Sequence, residues 1–355
     1  MSQHRMTGLD IGCASVRAAE IIATTDGVRL LNFGQVALPE GAVMGGEIKE
    51  PATVTNAIRR LWKERKFSQS DVVMGVANQQ VVVRTIDLPW VAAADIKRSL
   101  PFLVADMLPL PVDEAVLDFL PLDVPEEGKP IHGLLVASPR NNITATVRCA
   151  EAAGLRPVAV DLASFALLRA VGRGRLFNAE EKVDERRKPG PATEVLVDIG
   201  GSVTNIVIHR GGVPKIVRIV LRGGDDITAV LQERLGITVA DAEDLKRQQG
   251  MVGKQIETTN LISLAVTPLV EEIRSSLDYY TSTHAGARVE RVRLCGGGSS
   301  LRGLVDVVHK ALGLHVERAD PLWNIQVEGK NLDINELELF RYQLAVPIGL
   351  ALGPS

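Results

Sequence analysis

The sequence predicts an α/β protein of two similar lobes, with a small α+β insert in the first. Three observations predict it. Asp-Ile-Gly occurs at Asp10-Ile11-Gly12 and again at Asp198-Ile199-Gly200, each time ending an apolar strand and opening a turn of small and hydroxyl residues before a hairpin. Between about residues 87 and 156 the strand texture gives way to a Pro-interrupted amphipathic stretch and short strands. Residues 178–191 (NAEEKVDERRKPGP) are charged and rich in Pro and Gly, which marks a linker.

Composition sets the outer limits. At 355 residues the chain exceeds one ordinary core, so two or more lobes are expected. A hydrophobic fraction of 46% with 32 glycines fits a globular α/β protein with many tight turns. A net charge of −3 supplies no basic field for nucleic acid. Apolar runs are broken before the roughly 18 residues that a membrane span needs. The start, MSQHRMTGLDIG, has no apolar stretch of the signal-peptide kind. Cys13, Cys149 and Cys295 form no CxxC pair, which argues against zinc and suits a reducing cytoplasm.

Taken in order, Asp26-Gly27 signals a hairpin into a strand at 28–33. Val54, Ile58, Leu61 and Trp62 share one face of a helix expected over 54–67. β-branched runs at 72–76 and 81–86 read as strands. Ile96, Leu100, Leu103 and Met107 form a helical stripe, which Pro101 should kink or restart. Strands at 115–122 and 131–137 follow, then a helix at 142–153 closed by Gly154. A strand at 158–161 and a helix at 162–171 precede the linker. After the second Asp-Ile-Gly come helices at 226–235, 238–249 and about 261–283, a strand at 289–295, a helix at 301–312 and a last apolar segment at 344–352.

Four constellations could carry chemistry. Asp10 stands over the turn Gly12-Cys13-Ala14-Ser15; a strand-end carboxylate can hold Mg²⁺ through water, and small residues let backbone N–H groups approach phosphate. Asp198 stands over Gly200, Gly201, Ser202 and Thr204 in the same way. Gly296-Gly297-Gly298-Ser299 follows a strand and leaves room for a flat ring or a phosphate. Glu243 and Lys246 lie on one helix face, placed to bind ribose hydroxyls. Each has an ordinary alternative: a self-capped hairpin, a glycine turn, a solvated ion pair. The doubled Asp-Ile-Gly favours two facing phosphate loops.

These motifs resemble the actin-like ATPase superfamily (the ribonuclease H-like fold of actin, sugar kinases and bacterial FtsA). Within it the chain is similar to the PilM family of type IV pilus assembly. The resemblance rests on Arg84-Thr-Ile-Asp-Leu-Pro, the run Ala-Gly-Leu-Arg-Pro-Val-Ala-Val-Asp161, Arg222-Gly-Gly-Asp-Asp-Ile-Thr228, Glu272-Ile-Arg-Ser-Ser-Leu-Asp-Tyr-Tyr280 and Ile348-Gly-Leu-Ala-Leu352. It implies a first lobe of residues 1–86 plus 157–177, an insert at 87–156 and a second lobe at 192–355 with a distal part at 224–285. It implies ATP with Mg²⁺ between the lobes, the metal held through water by Asp10 and Asp198, with Gly223 and Gly224 also at the nucleotide. It implies a partner, the N-terminal cytoplasmic tail of a PilN-like inner-membrane protein, held in a groove at the insert. Arg84, Leu88, Ile96 and Leu103 are the groove candidates, unless they form the insert's own core. The protein is then expected in the cytoplasm, peripheral at the inner membrane through that partner, with self-association left open.

The first loop departs from the family's usual Gly-Ser-Ser-Ser-Val-Lys: it reads Gly-Cys-Ala-Ser-Val-Arg, ending at Arg17. Two hydroxyls are lost and the cation changes shape, which bears on nucleotide affinity and more on hydrolysis. An ATP-responsive scaffold with weak or no ATPase activity is the expectation. A small-molecule kinase of the same superfamily is an alternative, with Asp161 or Asp118 as the residue that would orient a substrate hydroxyl. An FtsA-like filament protein is another, set back by the lack of a terminal amphipathic helix.

Overall fold

In a computed structural model, the structure describes residues 4–172, 192–284, 286–329 and 332–353. The expected linker at 178–191 lies outside them. The first sheet starts as an antiparallel meander of β1 (His4–Ile11), β2 (Ser15–Thr24) and β3 (Gly27–Ala37). A short hairpin, β4 (Val43–Met44) and β5 (Glu47–Ile48), leads into α1 (Pro51–Arg65) and then β6 (Asp71–Val76). Pro51 fits the first helical turn because its missing N–H would have no partner there.

The insert follows. β7 (Val82–Leu88) and α2 (Ala93–Val104) precede β8 (Ala115–Pro121) and β9 (Ile131–Pro139), and the strands form a separate sheet in the order β7-β9-β8. α2 runs through Pro101 to Val104 and gives way to a 3-10 turn at Ala105–Met107. The chain returns through α3 (Arg140–Ala152), β10 (Arg156–Leu162) and α4 (Ala163–Val171). Two boundaries differ from expectation. The small sheet already begins at Val82, and α3, expected inside the insert, packs on α1 and β6 of the first sheet.

The second lobe repeats the plan. β11 (Thr193–Ile199), β12 (Thr204–Arg210) and β13 (Val213–Val220) form a meander, followed by α5 (Gly224–Leu235), α6 (Val239–Gln249) and α7 (Ile256–Thr283). β14 (Val289–Cys295), α8 (Leu304–Leu312) and β15 (His315–Arg318) complete it. The sheet orders β10-β6-β1-β2-β3 and β15-β14-β11-β12-β13 are the same arrangement, each an antiparallel meander flanked by parallel strands. The duplication read from two tripeptides is therefore a duplication of whole sheets.

The C-terminal segment crosses back. β16 (Ile325–Val327) pairs in parallel with β3, and after α9 (Ile334–Phe340) the helix α10 (Ala345–Ala351) packs on α4, β1 and β2. Both were expected in the second lobe. The reason is α10 itself: all seven of its residues are buried, and a helix apolar on every side needs cover on every side. One core takes in Ile21 and Phe33 of the first sheet, Leu167 and Val171 of α4, Leu196 and Val207 of the second sheet, and Ile348 of α10. The approach is close enough to require glycine: a Cβ at Gly349 would lie 1.8 Å from the Ala166 carbonyl oxygen, and one at Gly8 2.0 Å from that of Pro347.

The second sheet is pinned at its outer end by a charged network. Glu194 on β11 meets Arg291 Nε at 2.9 Å and Arg293 at 3.8 Å, and Arg293 also meets Glu317 at 3.2 Å. Arg293 donates to the Val171 carbonyl at the end of α4, which ties that sheet to the shared core. His209 sits 3.7 Å from Glu194 but is neutral: its Nδ1 accepts the Gly212 N–H at 3.2 Å, and burial, then Arg293, push it down to about 4. The folded state therefore excludes a proton that the unfolded chain takes up below its ordinary value of 6.5. Stability from this group is complete above that pH and falls as the pH drops toward 4, by about 3 kcal/mol in all. Denaturant unfolding against pH should show His209→Gln losing this share of the acid sensitivity; an unchanged acid slope would remove His209 as its source.

Candidate functional site

β1 and β11 occupy equivalent places in the two sheets, so Asp10 and Asp198 arrive at equivalent turns. Each turn closes in the same way: Gly12 N–H donates to the Ser15 carbonyl at 3.0 Å, and Gly200 N–H to that of Val203 at 3.0 Å. The second turn is stitched to the start of α5, where Gly224 and Asp225 N–H groups donate to the Gly200 and Gly201 carbonyls, each at 3.0 Å. Thr204 Oγ1 donates to the Arg222 carbonyl at 2.8 Å. Gly223 is required by space: a Cβ there would lie 2.1 Å from the Gly201 oxygen.

The turns touch across the lobes. Ser202 N–H donates to Cys13 Sγ at 3.2 Å, and the thiol donates to Asp225 Oδ2 at 3.4 Å. Burial, then the Asp225 carboxylate, push the Cys13 thiol up, which keeps it a protonated donor. Ala14 has no polar side-chain atom, and its carbonyl accepts from Leu38 N–H at 2.9 Å.

Behind this contact sit two carboxylates and one guanidinium. Asp10 and Arg17 are opposite each other on β1 and β2, with Arg17 Nη2 2.7 Å from Asp10 Oδ2. Asp198 accepts from Asn205 Nδ2 at 3.3 Å, and Asn205 Oδ1 accepts from Ser164 Oγ at 3.1 Å. Burial pushes Asp198 up to about 6; Arg17 opposes that and Asp10 adds to it. Burial also lifts the neighbouring Cys295 thiol well above its usual range. For Arg17, burial works against the charge, but Asp10, Asp198 and Cys13 outweigh it and raise its value.

Two tests of fit follow. Arg17 Nε and Ser202 Oγ are buried donors without hydrogen-bond partners, and Asp10 Oδ2 is a buried acceptor in the same condition despite its 2.7 Å ion pair with Arg17. Donors of that kind beside bare glycines suit phosphate oxygens. Mg²⁺ placed directly on Asp10 fits less well, because the Arg17 guanidinium already lies 2.7 Å from Asp10 Oδ2.

The third and fourth constellations lie on the second lobe's side. Gly296, at φ +77°, donates its N–H to the Tyr342 carbonyl at 2.8 Å, and Ser299 Oγ donates back to the Gly296 carbonyl at 2.7 Å. A Cβ at Gly296 would lie 2.5 Å from Asp198 Oδ1, and one at Gly298 2.3 Å from Ile199 Cγ2, so the glycine run is pressed against the second Asp-Ile-Gly. Gly297 is exposed beside the Gln343 side chain. Glu243 and Lys246 are not a solvated pair. Lys246 Nζ donates to the Gly224 carbonyl at 3.0 Å and to Thr228 Oγ1 at 2.8 Å, and pairs with Glu243. Burial acts to raise Glu243, but the hydrogen bonds from Lys246 and Thr228 outweigh it and the carboxyl is lowered.

Other candidates have structural duties. Asp161 pairs with Arg169, both nearly buried, and accepts the Leu162 N–H at 2.8 Å. Asp118 accepts the Phe119 N–H at 2.9 Å on the small sheet. Asp161 is therefore occupied by its pairing, whereas Asp118 is exposed on the insert's small sheet. Leu88, a groove candidate, is 1% exposed and packs with Leu100, Val104, Phe119 and Ile131, so it belongs to the insert's core. Ile96 and Leu103 are half-buried against that core. Arg84 is exposed and donates to the Met107 carbonyl at 3.3 Å. Exposed apolar side chains of the insert are others: Val124 at 88%, Phe102 at 85%, Met107 at 42% and Trp90 at 41%. The sequence reading also missed Asn205, Asp225 and Thr228 as partners; Asp225 and Thr228 lie in the Arg222–Thr228 run, whereas Asn205 carried no local signal.

The steric reading separates two glycines. Gly223→Ala sets a methyl against backbone and should destabilise by about 1–3 kcal/mol. Gly201→Ala meets mainly the movable Cys13 and Asp225 side chains and should destabilise by less than about 1 kcal/mol. Urea unfolding of both variants checks the order; the reverse order would mean that the turns are not packed in this way.

The chain is similar to several known proteins. The chain is 21% identical over 363 residues to the cell division protein FtsA of Bacillus subtilis, covering 88% of this chain and 78% of that protein. It is similar to a solved PilM-PilN type IV pilus biogenesis complex, with a TM-score of 0.83 and 26% identity over 98% of this chain and 97% of that one. It also matches the ethanolamine utilization protein EutJ of Carboxydothermus hydrogenoformans at a TM-score of 0.54 and 16% identity, over 100% and 91% of the two chains. The fold is the actin-like ATPase fold. The sequence pattern of the type IV pilus assembly protein PilM matches residues 8–354, and the chain belongs to that family.

Proposed function

We propose that this chain is an ATP-binding scaffold of type IV pilus assembly that holds the short cytoplasmic tail of a PilN-like inner-membrane protein. The observation that carries this reading is the match to the PilM-PilN complex along almost the whole of both chains. The two turns, with the orphaned donors Arg17 Nε and Ser202 Oγ between them, support a nucleotide whose phosphates bridge the lobes. Because Cys13 joins the turns directly, a phosphate must part that contact to enter, which couples occupancy to the spacing of the lobes. Hydrolysis is weak or absent in this reading, since the first turn offers a thiol and a methyl where hydroxyls would stand. The Mg²⁺ expected between Asp10 and Asp198 is not carried into it, because Arg17 is paired there.

The tail docks on the insert, whose exposed Trp90, Phe102 and Met107 give an apolar peptide face something to cover. Among the described residues no helix is long and apolar enough to cross a membrane. Attachment to the inner face of the inner membrane therefore runs through the partner. A kinase reading is set back by Asp161, which is paired with Arg169, and by Asp118, which lies on the insert's small sheet rather than at the paired turns.

Millimolar ATP should raise the melting temperature by about 2–6 °C, as expected for a ligand well above its dissociation constant. No shift would remove the nucleotide from the reading. Full-length protein should capture a synthetic PilN-like tail, and Phe102→Asp with Trp90→Ala should weaken capture about tenfold or more. Capture unaffected by both changes would place the tail elsewhere.

A further inference from the structure

Arg17 is the cation of the paired turns. It extends from β2 across the hairpin, with Nη2 on Asp10 Oδ2, and its field reaches Asp198 in the opposite lobe. The pair is largely withdrawn from water, at 15% exposure for the Arg17 side chain and 10% for Asp10. Gly12 makes the room: a Cβ there would lie 3.0 Å from Nη2. Nη2 pairs with Asp10 Oδ2 by charge, an oxygen that itself has no hydrogen-bond partner; Nε is buried without an acceptor, and Ser202 Oγ from the other lobe is in the same condition.

Two carboxylates facing a phosphate chain need positive charge beside them, since like charges at close range in a poorly solvated site repel strongly. A divalent cation commonly supplies it, and Mg²⁺ does so with its own water shell in a near-octahedral arrangement. Here a side chain supplies it without binding entropy to lose. A guanidinium is suited to the task because its fork can hold a carboxylate with one N–H and offer another to a phosphate oxygen, which a lysine ammonium cannot do in fixed directions. We propose that Arg17 is a built-in counter-ion that stands in for the divalent cation, so that this chain binds nucleotide phosphates with little dependence on Mg²⁺. The inference rests on the nucleotide reading above and specifies the charge balance of that same site.

The test titrates a fluorescent ATP analogue into full-length protein in excess Mg²⁺ and in EDTA, and follows Mn²⁺ binding to nucleotide-free protein by paramagnetic resonance. Wild-type affinity is expected to agree within about threefold between the buffers, with no Mn²⁺ bound. Arg17→Lys keeps the charge without the fork and is expected to lose about tenfold in EDTA and recover in Mg²⁺. Arg17→Ser, which leaves both carboxylates uncompensated, is expected to bind Mn²⁺ without nucleotide. A wild-type affinity that falls tenfold or more in EDTA overturns the proposal and leaves the nucleotide reading standing. No binding in either buffer overturns both. Should Arg17→Ser fail to fold, the wild-type comparison between the two buffers decides alone.

Discussion

The contact on which the rest of this molecule depends is the crossing of α4 and α10 between the two sheets. The two helices approach until the backbone of Gly349 lies on the Ala166 carbonyl, and Gly8 on β1 admits Pro347 in the same way. No side chain separates these backbones, so the spacing of the layers is set by covalent dimensions rather than by adjustable packing. Because the shared core draws on both sheets, the two lobes do not have independent interiors. The ends of β1 and β11 are then brought together as a consequence, and Cys13 reaches Ser202 and Asp225 without a long loop.

That placement explains why the turns are chemically unequal although topologically alike. The second turn keeps Ser202 and Thr204 and is fastened to α5 by backbone hydrogen bonds. The first spends its side chains on contacts within the protein: Cys13 on the opposite turn and Arg17 on Asp10. In the proposed reading, phosphate between the lobes would part the Cys13 contact. Separating Cys13 from Ser202 and Asp225 gives up two weak sulfur hydrogen bonds, a small barrier beside the charged hydrogen bonds a phosphate would make.

The insert works by a different logic. Its core of Leu88, Leu100, Val104, Phe119, Ile131 and Leu135 is too small to support much more than the three-stranded sheet and α2. It therefore leaves Phe102, Trp90 and Met107 outside. Its return helix, α3, packs on the first lobe, so the insert is anchored at both ends of the small sheet. A peptide held there would be joined through α3 and β6 to the sheet that carries Asp10.

Much of this was legible in the sequence. The repeated Asp-Ile-Gly, the β-branched runs and the helical stripes follow side-chain periodicity, which is local, and they located the meanders and the helices α1, α5, α6 and α7. The glycines at 200, 201 and 296–298 were legible for the same reason, since a tight turn shows in its own residues. Sequence periodicity says that a face is apolar, not what covers it. Only the tertiary structure decided that Leu88 faces the insert's own interior, that α10 and β16 return to the first sheet, and that Glu243 and Lys246 clasp Thr228. Only it joined Cys13 to Asp225 across 212 positions and brought Asp198 of the other lobe within the field of Arg17. These are pairings between distant segments, fixed by which surfaces the shared core brings together, and no local pattern encodes them.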